Sequence, residues 1–382
     1  MKLHLKLSKD ILIASTVATL FLVFVNLAAG QLVLSDRNRY VTAEITSLSG
    51  FDRTSLADFV FGLSPLVEPI LSFLNILLLL LLCKLLSRSF GLLACQRYLL
   101  YATAFLPFRL LFRSFASKEL LFSLASEIFL ITILSSASLS SGSVRRVNFL
   151  LPAHVQNRSL PLVYYMLLIS AFLLCLLLRP FYAVILLIPF LLSSSFISLS
   201  LRLRRSIVLA AVLLAASALL YTFFALNYFD AIVSLMESYF LIDGANSTSL
   251  RAHYVSPSTP LDFIFQFASS FPMFLLGPSL PDILSRPFLI FLFLEGVFLI
   301  LLLASGFSNL FVLRAQKLLS SRLSISFAFV MFYILFVFYI FSAINFMGGI
   351  RFQSCMSPLI LYLYAYTCSL RPTASPLTNA LG

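Results

Sequence analysis

The sequence predicts an all-α polytopic membrane protein with about ten transmembrane helices, nine to twelve at the limits, and one re-entrant or interfacial segment. Three observations carry this. Of 382 residues, 61% are hydrophobic and only 10% are charged, where a soluble chain would carry roughly 25% charged residues. Mean hydropathy is +1.04, and Phe occurs 41 times while Trp is absent, more apolar surface than a soluble core could hide. Runs such as "ILLLLLLCKLL" lack the period-2 alternation of outer-membrane barrel strands.

The elements follow in order. "MKLHLKLSKD" before "ILIASTVATLFLVFVNLAAG" also fits a signal peptide. Its apolar stretch reaches the roughly 20 residues needed to span, and further spans follow, so we read an uncleaved first helix near 11–33. Later spans are expected near 65–86, 95–112, 119–138, 160–178, 181–200, 206–226, 286–305, 323–346 and 355–370. The segment 262–283 is also apolar but is excluded by parity. If it crossed, Arg314, Lys317 and Arg322 would fall on the side of the long acidic loops, against the positive-inside rule. Pro272, Gly277, Pro278 and Pro281 are expected to break any helix there, as backbone lining a cavity can.

The resulting map puts both termini in the cytoplasm. Lys84, Arg88, Arg145, Arg146, Arg202 and Arg204 collect on the inner side, while Asp36, Glu44, Asp230, Glu237, Asp243 and Asp282 fall on or near the outer face. Two outer loops, 34–62 and 227–261, are long enough to imply a function. The other connections are mostly short, so residues 1–382 are expected to form a single membrane domain with no soluble catalytic appendage. No internal repeat of the kind common in transporters stands out.

Charge then narrows the chemistry. The net charge of +12 is explained by lysines and arginines on cytoplasmic loops rather than by nucleic-acid binding. Five cysteines form no CxxC pair and read as small buried thiols. Cations on the outer face oppose the usual bias, among them Arg39, Arg109, Arg113, Arg251 and Arg351. Snorkelling into headgroups accounts for any one of them; together they suit a lipid phosphate or pyrophosphate, which arginine forks grip at two points. Glu68 falls in the first turn of the second span, where it complements the helix dipole or points a carboxylate into a cavity. Glu127 and Glu295 sit deeper and should face the bundle or pair with an arginine. His154 and His253 have no second ligand at helical spacing, so no metal site is expected. No Walker A, GxSxG or soluble GxGxxG motif occurs.

Three stretches then carry a resemblance. "LSDRNRY" followed by "LSPLVEPILSFLNILLLLLL" resembles the "D…Y … EPL" opening of bacterial polysaccharide repeat-unit polymerases of the Wzy/EpsG type, with Asp36, Tyr40 and Glu68 at the matching positions. "FPMFLLGPSLPDILSRPFLIFLFLEGVFLILLL" is similar to that group's "gPfPw" segment before a glutamate-bearing helix, placing Gly277, Pro278, Pro281 and Glu295. "INFMGGIRFQSCMSPLILYLYAY" is similar to its "N-x-G-x-x-R-(Y/F)-R … P" element, with Asn345, Gly348 or Gly349, Arg351, Phe352 and Pro358. This chain departs at Gln353, where the pattern has a second arginine. The arginine that opens the fourth helix in such proteins corresponds to Arg109 or Arg113, and "PAHVQ" supplies His154 for a family histidine.

The resemblance implies a GT-C-like bundle in the bacterial inner membrane that transfers a growing glycan from undecaprenyl pyrophosphate onto a fresh lipid-linked repeat unit. It implies catalysis by Glu68, Asp36 or His154. It implies substrate binding by Arg351, Arg109, Arg113, Arg39, Tyr40 and Arg251, with no cofactor and no metal. The implied partners are lipid-linked oligosaccharides and the bilayer, with a chain-length regulator and a flippase working beside it, and no nucleic acid. Two other readings stay open at this point. One is an O-antigen ligase or another lipid-linked glycosyltransferase, for which "RAHY" at Arg251–Tyr254 is a faint signal. The other is a flippase or exporter of lipid-linked sugars.

Overall fold

A computed structural model describes residues 9–29, 53–64, 66–112, 117–140, 162–178, 186, 230, 233–234, 257–315 and 346–369. Among these residues every regular element is helical. In chain order they are α1 (Lys9–Ala29), α2 (Arg53–Gly62), α3 (Val67–Ser89), α4 (Ala94–Ala104), α5 (Pro107–Phe112), α6 (Lys118–Ser140), α7 (Leu162–Leu178), α8 (Pro260–Leu276) and α9 (Leu280–Ser285). A 3-10 turn at Pro287–Leu289 then leads into α10 (Ile290–Ala315), and α11 (Phe346–Ser369) closes the set.

The all-α class therefore holds among the described residues, but the count of ten spans does not emerge from them. Among the described residues one helix, α3, is long and apolar enough by length and composition to cross a membrane. At 1.5 Å per residue its 23 residues reach about 34 Å, against roughly 30 Å of hydrocarbon. Shorter apolar helices cover Asp10–Phe21, Tyr165–Leu178 and Ile290–Gly306. The spans expected at 181–200, 206–226 and 323–346 lie almost wholly outside the described residues.

Four boundaries differ from expectation for readable reasons. The span expected at 95–112 is broken in two, because Pro107 disfavours helical backbone at Leu106 and starts a new helix as its first residue. Its longer part, α4, has 11 residues and reaches only about 16 Å. The outer loop 34–62 ends in helix α2 rather than coil. Helix α8 runs through Pro272, so the break in 262–283 comes only at Gly277, which adopts φ +88°, and Pro278; Pro281 falls in the first turn of α9. Last, α11 begins at Phe346, nine residues before the expected 355. Gly348 and Gly349 are thus helical and make no tight turn ahead of the helix.

Helix α11 is the hub. It packs against α3, α4, α5, α6 and α10, and every residue from Gln353 to Cys368 is buried. A helix covered all round needs no amphipathic face, which is why its sequence mixes Tyr, Ser, Cys and Leu without a polar stripe. Phe90, at the end of α3, stacks edge-on against both Tyr362 at 5.7 Å and Tyr366 at 6.2 Å between ring centroids. Around the hub, α1 packs on α3, α3 on α6, α6 on α7, and α8 on α10. Helices α1, α7 and α10 leave large apolar side chains exposed, including Leu20, Phe21, Val163, Ile169, Phe291 and Phe298. Four of the five cysteines, Cys83, Cys175, Cys355 and Cys368, are buried.

Candidate functional site

The polar interior is built from three helices that meet at Arg109. This residue lies in the first turn of α5, a helix of six residues that Pro107 opens without wasting an N–H group. The Arg109 Nη1 donates to Glu295 Oε2 at 3.3 Å, and the Arg109 backbone N–H donates to the same oxygen at 3.3 Å. Its Nη2 donates to Gln353 Oε1 at 2.7 Å. Glu295 comes from α10 and Gln353 from α11. All three residues are buried, Arg109 at 3%, Glu295 at 4% and Gln353 at 1% of their full exposure.

Each contact has a local cause. A carboxylate at the start of α5 meets unsatisfied backbone donors, so Glu295 completes a helix end while it neutralises the guanidinium. Gln353 offers an acceptor without a second charge. The contact thus joins a cation to an anion and an amide, a pairing that a low-dielectric interior tolerates better than a lone charge. The Nε–H of Arg109 has no acceptor among the described residues. Snorkelling into headgroups does not describe Arg109, because its side chain turns inward.

Backbone approach adds a fourth segment. Gly277 sits where α8 gives way to α9, and a Cβ built there would come 3.1 Å from Ile350 Cδ1. Ile350 is on α11, three residues before Gln353 and one before Arg351. The turn after Gly277 is fixed by Asp282, which accepts from the Ser279 backbone N–H at 2.8 Å and from the Ser279 hydroxyl. This cap, in which both donors come from Ser279, starts α9 with a proline in its first turn. A reciprocal cap starts α8, where Asp262 and Thr259 bond each other's backbone N–H at 3.1 Å and Ser258 donates to the Asp262 carboxylate at 2.6 Å. Those donors hold the Asp262 carboxyl below its ordinary range, Ser258 contributing most.

Glu68 is buried at 7%, in the first turn of α3 as its position suggested. It opens a polar face that continues through Ser72 and Asn75, four and seven residues on, both buried. Helix α6 repeats the pattern: Glu119, Ser123 and Ser126 stand at the same spacing, with Glu127 beside them, all buried. Because α3 and α6 pack together, the bundle holds two helices with matching polar faces. Glu119 was not among the site residues expected from the sequence. The shared E-x3-S-x2-[N/S] spacing in "VEPILSFLN" and "KELLFSLAS" was the available signal.

Of the site residues expected from sequence, the structure thus describes Glu68 and Arg109 in full. It also gives the helical backbone of Arg351 on α11. Asp36, Arg39, Tyr40, Arg113, His154 and Arg251 lie outside the described residues, as does His253. The pairing expected for Glu295 is met by Arg109. Gln353, treated in the sequence only as a departure, is a direct partner of Arg109. Among the described residues no group of three or more His, Cys, Asp or Glu is arranged to hold a metal ion. Comparison with family models, curated proteins and solved structures returns no match for this chain.

Proposed function

We propose that this chain is a polymerase of undecaprenyl-pyrophosphate-linked oligosaccharide repeat units, building O-antigen, exopolysaccharide or capsule by glycosyl transfer at the outer face of a bacterial inner membrane. The observation that carries the reading is convergence. The three stretches around Arg109, Glu295 and Gln353 are far apart in sequence, and their side chains join in one buried contact. The Gly277 turn packs on Ile350 of the same α11 segment. Gly277, Glu295 and Gln353 belong to two of the three stretches that resemble repeat-unit polymerases, and Arg109 is one of the two arginines that correspond to the family's fourth-helix arginine. Exposed apolar faces on α1, α7 and α10 support a lipid environment. On this reading the chain crosses the bilayer about ten times, with both termini cytoplasmic and 262–283 dipping in at the outer side.

The chemistry needs no metal. A hydroxyl oxygen of the acceptor sugar attacks the anomeric carbon of the donor glycan, and the bond from that carbon to the pyrophosphate oxygen breaks. Undecaprenyl pyrophosphate leaves with the electron pair, and the hydroxyl proton passes to a base, for which Glu68, Asp36 and His154 are the candidates. Arginines stabilise the charge that develops on the leaving group, Arg351 and Arg109 foremost, with Arg39, Arg113 and Arg251 around them. Tyr40 and the outer loops hold glycan, and tethering both substrates to lipid supplies proximity. A chain-length regulator and a flippase are the expected neighbours in the membrane.

Deletion of the gene followed by electrophoresis of the surface polysaccharide tests the reading. The polymerase predicts a single-repeat product in place of the ladder. Loss of even the single repeat outside would point to a flippase, and a polymerised but unattached glycan to a ligase. The variant Arg351→Ala is expected to abolish the ladder while the protein remains in the membrane; a normal ladder from it would sink the assignment.

A further inference from the structure

Gln353 stands where related motifs carry a cation, and its contacts give that difference a role. Its Oε1 takes the shortest hydrogen bond in the Arg109 network, 2.7 Å from Nη2, while both bonds to Glu295 Oε2 are 3.3 Å. The carboxylate neutralises Arg109, but the amide is the closer contact and fixes the plane of the guanidinium. Gln353 is itself held in place. It is 1% exposed and lies on the fully covered hub helix. Flanking it, the hydroxyls of Ser354 and Ser357 are turned back onto the Ile350 and Gln353 carbonyls.

We propose that Gln353 is a positioning residue for glycosyl transfer: it orients the Arg109 guanidinium through an acceptor that brings no charge of its own. A second arginine at 353 would bring a like charge against Arg109 in a buried position, which costs free energy. A carboxylate there would add a second anion against Arg109, beside Glu295. An amide is the side chain of this length that accepts from Arg109 and adds no charge. This inference rests on the transferase reading above. It adds that the Arg109 donors serve the transition state only when aimed, so losing the aim lowers turnover more than binding.

The experiment uses the full-length protein in proteoliposomes with lipid-linked repeat units as substrate, reading chain extension by gel. Gln353→Ala is expected to lower kcat about tenfold or more, with KM within about threefold, on the scale of a displaced transition-state donor. Q353E supplies the readout that a structural role would not move. Arg109, bonded to Gln353, and Glu295, bonded to Arg109, are charged groups beside it. Protonated, the Q353E side chain is nearly isosteric with glutamine and presents the same carbonyl acceptor. Its rate should therefore recover toward wild type as pH falls, a rise that wild type and Q353A do not show. Thermal unfolding of Q353A, R109A and the double variant checks the contact without reference to activity, and the double variant should lose less than the sum of the singles. If wild type extends chains and Q353A matches it within twofold, or Q353E shows no acid recovery, the positioning role is overturned while the polymerase stands. If wild type extends no chains while remaining folded, the transferase reading falls, and this role with it.

Discussion

Arg109 and Glu295 form a charged pair with almost no access to solvent, at 3% and 5% side-chain exposure. Removing one partner strands the other, and stranded buried charges cost about 3–5 kcal/mol. Arg109→Met should therefore lower the thermal unfolding temperature of the detergent-solubilised protein sharply, and Glu295→Leu likewise. The double variant should be more stable than either single, because neither charge then remains; strict additivity would mean that the two do not interact. The pair was half legible in the sequence. A glutamate within so apolar a stretch was expected to face the bundle or pair with an arginine, but nothing in the residue string says which of the two, or which arginine. Gln353 was less legible still. Its value lies in an acceptor geometry that appears only when α11 lies against α5.

The helix termini were the most legible elements, and the junction after α8 shows why. "STPLD" and "PSLPD" each place a hydroxyl three residues before an aspartate with a proline between, which is a local instruction to start a helix. The cap of α8 also fixes a pH dependence. Asp262 is held below its usual range by the Ser258 hydroxyl and Thr259, so its contribution is present above the unfolded value of about 3.9. It is lost as pH falls through the lower folded value. Amide exchange in the first turn of α8, corrected for intrinsic rates, should keep its protection from neutral pH down to about 4. Protection should fall below that, whereas Asp262→Asn should show reduced protection throughout. At the other end of α8, Gly277 has φ +88° and its missing Cβ would press on Ile350 Cδ1 at 3.1 Å. Gly277→Ala is expected to cost about 1–3 kcal/mol from backbone strain, with more from the contact. Adding Ile350→Val, which deletes Cδ1, should restore only the contact part, and full restoration would show that φ is not the constraint. The broken helix at 105–107 was legible too, since "FLPFR" carries the proline that ends it. Apolar continuity over 95–112 outweighed that signal in the sequence reading.

At the scale of the whole molecule, composition gave the helical class, while the arrangement around α11 came only from packing. The sequence of α11 alternates small, aromatic and hydroxyl residues, which reads as an ordinary apolar segment; its burial on every side depends on five neighbouring helices. Gly348 and Gly349 were misleading for the same reason. Glycine permits a turn but does not compel one, and here the backbone is helical through both. The central contact also carries a consequence for how the chain is made. Arg109 is separated by 186 residues from Glu295 and by 244 from Gln353. At roughly 5–20 residues per second, the ribosome reaches Glu295 about 10–40 seconds after Arg109, and Gln353 some seconds later. During that interval α4 and α5 are too short to settle as one ordinary span, and their arginine has yet to meet the acid that neutralises it. Completing this contact thus waits for α10 and α11, which are made well after the charge that they enclose.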